Sequence, residues 1–316
     1  MKRQRGAALL MAMLTVTLVA TFAAAALWRQ WRAVEVETAE RTRVQSAWIL
    51  LGALDWSRLI LVEDGRAGTT DHLAEPWAVP LQEARLSTFL AAEGNVSQVD
   101  DATIDTADAF LSGQITDMQS RLNLYNLYAN TDAAPAALRQ FTRLFERLGL
   151  PQQELALLAN GLRRANAGGE SAPLMPQTTA QLGWLGLSPA TVERLEPHVA
   201  MLPAATTVNI NTADVDVLWA AIDGLDQSSA QKIVQARESR YFRSVDELKK
   251  TLGDAVEIDG NALGVSTNYF EVRGQLRLGS ATVQERSLVQ RRNGKVTVLW
   301  RQRSALPPAG PVQALP

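Results

Sequence analysis

The chain has 316 residues, 47% hydrophobic and 20% charged, which is enough apolar side chain for more than one packed core and excludes disorder of the bulk. Its 31 Lys and Arg against 33 Asp and Glu leave a formal charge of -2, so no global field draws in nucleic acid or anionic lipid. Cysteine is absent and the two histidines, His72 and His198, stand far apart, which removes disulfides, thiolate chemistry and most zinc-enzyme templates.

Lys2, Arg3 and Arg5 open the chain, and after Gly6 the run from Ala7 to Trp28 carries no charge. At about 1.5 Å per residue that run spans roughly 33 Å as a helix, matching a hydrocarbon core of about 30 Å. The basic flank predicts a cytoplasmic N-terminus with the bulk of the chain exported. Ala23-Ala24-Ala25 would also suit a signal peptidase, but the run exceeds the usual apolar stretch of about 7–15 residues in a cleaved signal. No Gly or Pro intervenes before Gly52, which predicts one continuous helix of roughly 50 residues. Its stretch from Arg29 to Gln45 is polar, with Glu35, Glu37, Glu40, Arg41 and Arg43 at pairing distance. From Ala47 to Val62 it turns apolar on most sides, as a helix must when it lies on a sheet.

Gly113 reads as a turn, and Ile115 to Tyr125 as a strand with Met118, Ser120, Leu122 and Leu124 on one face. A helix over 135–148 carries the stripe Leu138, Phe141, Leu144, Phe145 and Leu148, and one over 151–165 carries Leu155, Leu158 and Leu162. A Gly, Pro and Ser linker from Gly168 to Pro176 leads to two related units, Leu182–Leu195 and Leu218–Ile233, in which Gly186 aligns with Gly224. Each reads as helix, hairpin, helix. Val208 to Ala213 introduces the second, with Asn211 or Thr212 as the expected N-cap. Phe270, Val272, Leu276 and Leu278 then alternate with polar residues, and Val296, Val298 and Trp300 alternate again after the turn pair Asn293-Gly294. The Pro-rich tail beyond Arg303 is expected to be disordered.

A short basic leader ending in Gly6, followed at once by the apolar helix, resembles the prepilin leader of type IV pilins and type II secretion pseudopilins. The run Gly113 to Leu127, G-Q-I-T-D-M-Q-S-R-L-N-L-Y-N-L, resembles the signature of the K minor pseudopilin family, departing from it at Leu122 and Tyr125. That resemblance extends over nearly the whole chain. It implies an α+β pilin fold, a long N-terminal helix packed on an antiparallel sheet, with a large α-helical insertion holding helix-hairpin-helix-like units. It also implies cleavage after Gly6 by prepilin peptidase and methylation of Ala7. Most pilins carry glutamate at the fifth mature position, to pair with the N-terminal amine of the subunit above; here Met11 stands there. The implied partners are other minor pseudopilins and the inner membrane, and the implied work is assembly at the pseudopilus tip without enzymatic activity. The segments divide as leader 1–6, membrane helix 7–28, periplasmic helix 29–62, pilin-like segment 63–125, insertion 126–264, C-terminal strands 265–303 and tail 304–316. Trp28, Trp31, Val34, Val44, Trp48 and Leu51 are the residues expected to pack against neighbouring helices.

The introductory V-N-I-N-T-A also resembles the helix-hairpin-helix of membrane-tethered competence DNA receptors, which is the alternative function. Against it, Asp226 stands where a second hairpin glycine would present its N–H to phosphate, and acids outnumber bases from Val208 to Gly253. No nucleic acid is therefore expected. Calcium, known in the K family, is the one cofactor considered, with Asp254, Glu257 and Asp259 as candidate ligands and Asp100, Asp101, Asp105 and Asp108 as competitors. Gly186-Leu187-Ser188 is followed by Pro189 and does not form a nucleophile elbow.

Overall fold

The structure is a computed structural model and describes residues 4–88, 109–129, 134–253, 259–260, 262–279 and 281–306. Helix α1 (Gln4–Ala67) is a single helix of 64 residues, longer than the sequence pattern predicts because it continues through Gly52 and past Val62. In its first half Leu10, Met11, Leu14, Phe22 and Leu27 are all exposed. Of the described helices, this one is long and apolar enough to cross a membrane. In its second half Ser46, Leu50, Leu54 and Leu61 are buried on one stripe, the spacing that brings helical side chains to one face. Arg66 sits in the last turn, where a cation complements the helix dipole, and Gly68 N–H closes on Asp64 O at 3.1 Å.

Among the described residues the strands are β1 (Leu81–Arg85), β2 (Ala109–Asp117), β3 (Leu122–Asn123), β4 (Val199–Ala200), β5 (Val208–Asn209), β6 (Leu263–Gly264), β7 (Tyr269–Leu278), β8 (Ala281–Arg292) and β9 (Lys295–Leu306). Five of them form one sheet in the order β1-β2-β7-β8-β9, antiparallel throughout; β3 with β4 and β5 with β6 make short parallel pairs. The β8–β9 hairpin turns on Asn293 (φ 54°) and Gly294 (φ 70°), the two consecutive positive φ values that a tight turn matched to strand twist demands.

Alternation along the strands sends one set of side chains to α1. Ile115, Phe270, Val272, Val289 and Val296 pack with Leu54, Leu61 and Trp77, while Leu111 and Leu276 pack with Leu50. Arg58 fastens helix to sheet by donating from Nε and Nη2 to Val296 O at 3.0 and 2.8 Å. On the opposite face Tyr269, Leu288 and Trp300 meet Met118, Ala200 and Leu202. The sheet is thus held between α1 and a helical body.

That body comprises α2 (Ala134–Arg147), α3 (Gln152–Ala167), α4 (Pro189–Leu195), α5 (Val215–Ala221), α6 (Gln227–Ser239) and α7 (Val245–Leu252). It has its own core, centred on Phe141, Leu144, Phe145, Leu158, Leu162, Leu182, Leu195, Leu218 and Ile233. Leu138, expected on that stripe, is 44% exposed instead, and Gln140 takes a buried place by donating to Ala221 O. Gly186 (φ 95°) and Gly224 (φ 71°) both occupy left-handed hairpin positions, as their alignment implies, although the first helix of the earlier unit is a 3-10 turn over Thr179–Leu185.

Three local expectations change. The strand expected over 115–125 stops at Asp117, because that carboxylate accepts Gln119 N–H and bends the chain into a 3-10 turn over Met118–Ser120. Gly113 is not a turn; it lies within β2 opposite Gly274, where an added Cβ would come within 3.1 Å of Arg273 O. Strand β9 runs past Arg303 to Leu306, with Ser304 and Ala305 paired to Gln284 and Val283, and Pro307 is the first residue without an N–H to give. Residues 307–316 lie outside the described residues.

Leu61 is fully buried at the centre of the helix–sheet contact. Leu61→Ala should therefore lower unfolding free energy by about 2–5 kcal/mol, read by urea denaturation with tryptophan fluorescence. A loss below about 1 kcal/mol would mean that helix and sheet do not share a cooperative core.

Candidate functional site

Two features of this architecture are set up to do work: a buried polar junction joining sheet to helical body, and the bare length of α1. The junction starts at the end of β2. Asp117, 2% exposed, accepts Gln119 N–H at 2.6 Å through Oδ1, and through Oδ2 accepts Asn209 Nδ2–H at 2.9 Å and the Thr212 hydroxyl at 2.6 Å. Burial pushes its pKa up to about 6 despite these donors, which favour the charged form. Asn209 also donates to Asp71 O at 3.1 Å, while its own Oδ1 accepts Asn211 N–H at 3.0 Å. Gln119 bridges outward, donating to Thr207 O and Ser266 O and accepting Asn268 N–H at 2.8 Å. Asn123 donates to Ala204 O at 2.7 Å and to Thr206 Oγ1 at 3.0 Å, and Arg121 donates to Glu196 O at 3.2 Å. Every second residue from Asp117 to Asn123 therefore grips a loop of the helical body.

Arg291 of β8 closes the other side. Its guanidinium donates to Asp64 at the end of α1, to Asp71 and to Thr267 O, and it stacks 4.9 Å above the Phe270 ring. Burial opposes its charge, but the two carboxylates outweigh that and hold its pKa above the usual value. Beside them Glu75 accepts His72 N–H at 2.9 Å and Trp77 Nε1–H at 2.7 Å; burial pushes it up to about 7. Among the described residues, the carboxylates of Asp64, Asp71 and Glu75 converge within 4.8 Å. With Arg291 already seated on two of them, this is an ion-pair cluster in which a guanidinium takes the place a metal would need.

The V-N-I-N-T-A segment is the counterpart of this junction and not the helix cap expected of it. Asp214 caps α5 by accepting Val217 N–H at 2.7 Å, and it also meets His198 Nδ1 at 3.0 Å. His198 lies in the turn after α4. Asn211 instead closes on Phe242, donating to its carbonyl and accepting its N–H, both at 2.9 Å. In the following hairpin the Asp226 carboxylate accepts Ser229 N–H at 2.8 Å, so the free end of α6 is capped by the chain itself where a phosphate would have to sit. Ser188 caps α4 and hydrogen-bonds Glu154. Of the calcium candidates, Asp259 lies in a turn whose carbonyl accepts Ala262 N–H; Asp254, Glu257, Asp100, Asp101, Asp105 and Asp108 lie outside the described residues.

The bare helix holds the residues expected to meet neighbours. Trp28 and Trp31 lie 5.4 Å apart, and they, Val34, Val44 and Trp48 are each more than half exposed, whereas Leu51 is half-buried. Trp31, Val34, Thr38 and Thr42 line an open groove against Leu278, Val283 and Arg303 at one end of the sheet. Met11 is 69% exposed, and α1 carries no carboxylate before Glu35. Gly6 and Ala7 lie in the first turns of the same helix.

A long helix half bare and half laid across an antiparallel sheet is the build of a pilin-type subunit. The sequence carries two family matches with the same description, type II secretion system protein K, over residues 120–204 and 208–266. Curated relatives called type II secretion system protein K are 29% identical in Pseudomonas aeruginosa, over 94% of this chain and 92% of the relative, and 29% identical in Klebsiella pneumoniae, over 95% and 96%. A chain in the solved GspK-GspI-GspJ complex from enterotoxigenic Escherichia coli has the same fold, with a TM-score of 0.65 over 84% of this chain and 98% of that one at 21% identity. Over nearly its whole length the chain is similar to protein K of the type II secretion system, and these matches together support a minor pseudopilin of that system.

Asp117 fixes a pH dependence. Its folded pKa of about 6 lies above the 3.8 of a free aspartate, so its stability contribution is complete below about 4 and declines as pH rises through 6. Asp117→Asn should flatten that decline, by up to about 3 kcal/mol across the interval, while the part carried by Glu75 persists toward pH 7. Urea midpoints between pH 4 and 8 measure it, and an unchanged profile would show that Asp117 does not titrate there.

Proposed function

We propose that this minor pseudopilin forms the tip of the pseudopilus and initiates its assembly with other minor pseudopilins, supporting protein export across the outer membrane. The observation that carries the proposal is Met11. Without a carboxylate at that place the helix offers nothing to the N-terminal amine of a subunit above it, while its own Ala7 amine is free to receive the glutamate of a subunit below. Growth can then proceed only beneath it. The helical body adds a second reason, since a head of two packed cores is broader than helix and sheet alone and would crowd neighbours repeated along a filament. That the matched solved chain comes from a complex named for three subunits supports partners of the same kind here.

In this reading Gly6 and Ala7 flank the site where prepilin peptidase cuts on the cytoplasmic face of the inner membrane and methylates the new amine. The rest of α1 from about Arg29, the sheet and the helical body then lie in the periplasm. Trp28, Trp31, Val34, Val44, Trp48 and Leu51 supply the helix contacts, through apolar packing more than charge.

Gly6→Glu should leave the leader uncut, giving an intact mass by mass spectrometry, whereas a mature protein starting near Ala26 would defeat the prepilin reading. Met11→Glu should leave the folded head unchanged by circular dichroism but impair assembly, because an acid one turn inside the membrane span with no amine to pair it is costly, though by less than the roughly 2.5–3.5 kcal/mol of a charge at the centre of a span. Immunogold labelling of pseudopili should mark one end; label along the whole length would refute the tip assignment.

A further inference from the structure

The arginines of α1 follow a pairing rule that breaks at two places. Arg41 pairs with Glu37 at 3.6 Å, Arg43 with Glu40 at 3.7 Å, Arg58 with Asp55 at 2.7 Å and Arg66 with Glu63 at 2.5 Å, so each has a carboxylate three or four residues earlier on its own helix face. Arg29 and Arg32 have no such partner among the described residues, since the turn before them offers Ala25, Ala26 and Trp28. Glu35 stands three residues beyond Arg32 and forms no ion pair with it. The two guanidiniums are instead each other's neighbours, at the three-residue spacing where like charges on a helix repel.

Their place along the helix is as telling as their lack of acids. At about 1.5 Å per residue, Trp28 falls roughly 32 Å from Ala7, the width of a hydrocarbon core of about 30 Å. Arg29 and Arg32 are thus the first charges beyond the apolar run, on the exported flank where Lys and Arg are the less common choice. Trp28 and Trp31 share that turn, both more than half exposed, with ring centroids 5.4 Å apart. An indole suits the headgroup level, since its ring can meet acyl chains while its N–H meets polar oxygens. The four side chains start within about 6 Å of one another along the axis, so they meet a single layer of headgroups. A guanidinium presents paired N–H groups whose spacing matches two oxygens of a phosphate.

We propose that Arg29 and Arg32 bind phospholipid phosphate groups in the leaflet on the exported side, with Trp28 and Trp31 beside them at the headgroup boundary. The inference rests on the membrane-spanning reading of α1 and adds the ligand that fixes the depth of the helix. Lipid phosphate supplies the negative charge that the helix itself withholds at this turn, and it relieves the repulsion between the two guanidiniums. It also sets the position of the head. Helix α1 is one rod, and Ser46, the first of its buried residues, stands about 21 Å beyond Arg32. Held at the headgroups, the rod carries the sheet at a defined height above the bilayer.

The test uses the full chain in nanodiscs of phosphatidylethanolamine and phosphatidylglycerol, in phosphate-free buffer so that lipid is the source of phosphorus. Solid-state NMR dephasing between isotope-labelled guanidinium carbons and phosphorus reads separations of about 4 Å, as a hydrogen-bonded guanidinium–phosphate pair implies. Arg29→Gln combined with Arg32→Gln should remove part of that dephasing, whereas Arg41→Gln combined with Arg43→Gln should remove none. Because the chain has no cysteine, single spin labels at Ala24→Cys and Ala33→Cys report depth by their accessibility to oxygen and to a water-soluble nickel complex. The Ala24 label should lie in hydrocarbon and the Ala33 label outside it, and the two glutamines should let the Ala33 label move toward the hydrocarbon. Dephasing that survives the two glutamines undiminished, or an Ala33 label that keeps its depth, would overturn the proposal while a buried Ala24 label shows that the helix still spans. An Ala24 label exposed to water would overturn the spanning reading and the proposal together.

Discussion

Asp117 and Asn209 are joined by a buried hydrogen bond of 2.9 Å, and the geometry of the whole head depends on it. The sheet and the helical body have separate apolar cores, and the contact between them is small, centred on Tyr269, Leu288, Met118, Ala200 and Leu202. Apolar surfaces of that size attract without fixing an angle. The hydrogen bonds from Asp117, Gln119, Arg121 and Asn123 to loops of the body do fix it, because each buried donor or acceptor is satisfied in one docking only. Arg291 extends the same logic to α1, since Asp64 lies in the last turns of the helix and Asp71 in the loop that follows. Helix, sheet and body are thereby locked at one place.

The joint also explains how a large helical body can interrupt a sheet without weakening it. Its chain leaves at Asp117 and returns before Tyr269, and Asp117 stands opposite Phe270 in the β2–β7 ladder. Exit and entry are therefore neighbours, so the ladder closes as though the intervening residues were a single long loop. Loop-closure entropy rises only slowly with length, and the body offsets it with a core of its own.

Much of this was legible in the sequence, and the failures have physical causes. The continuous N-terminal helix, the Asn293-Gly294 hairpin and the paired glycine hairpins depend on local periodicity and backbone conformation, which neighbouring residues report. The role of the Asp117–Asn123 run was not visible, because a carboxylate that ends a strand and a carboxylate on a strand look the same until its partners are known. Those partners, Asn209 and Thr212, lie about ninety residues away, and Thr212 mimics a helix cap in isolation. Asn211 and Thr212 carry capping chemistry, yet Asp214 stands nearer the first turn and takes the cap, freeing the two for long-range bonds. Gly113 failed for a similar reason: a glycine required by a flat, close crossing of strands has no local mark that separates it from a turn glycine.

The arrangement finally divides labour along α1 by what each face can tolerate. From Leu50 to Leu61 one face is committed to the sheet, so changes there act on folding. From Ala7 to Arg41 no such commitment exists, and a helix that exposes Met11, Phe22, Trp28 and Trp31 outside its own fold leaves a long apolar surface to be covered. Lipid can cover the first part and neighbouring helices the second, but both coverings align the same rigid rod. Because Arg58, Asp64 and Arg291 tie that rod to the sheet, and the junction ties the sheet to the helical body, the direction in which the body points is set by how α1 is packed. An interaction made by the bare helix is therefore transmitted as an orientation of the head, without any change in its internal structure.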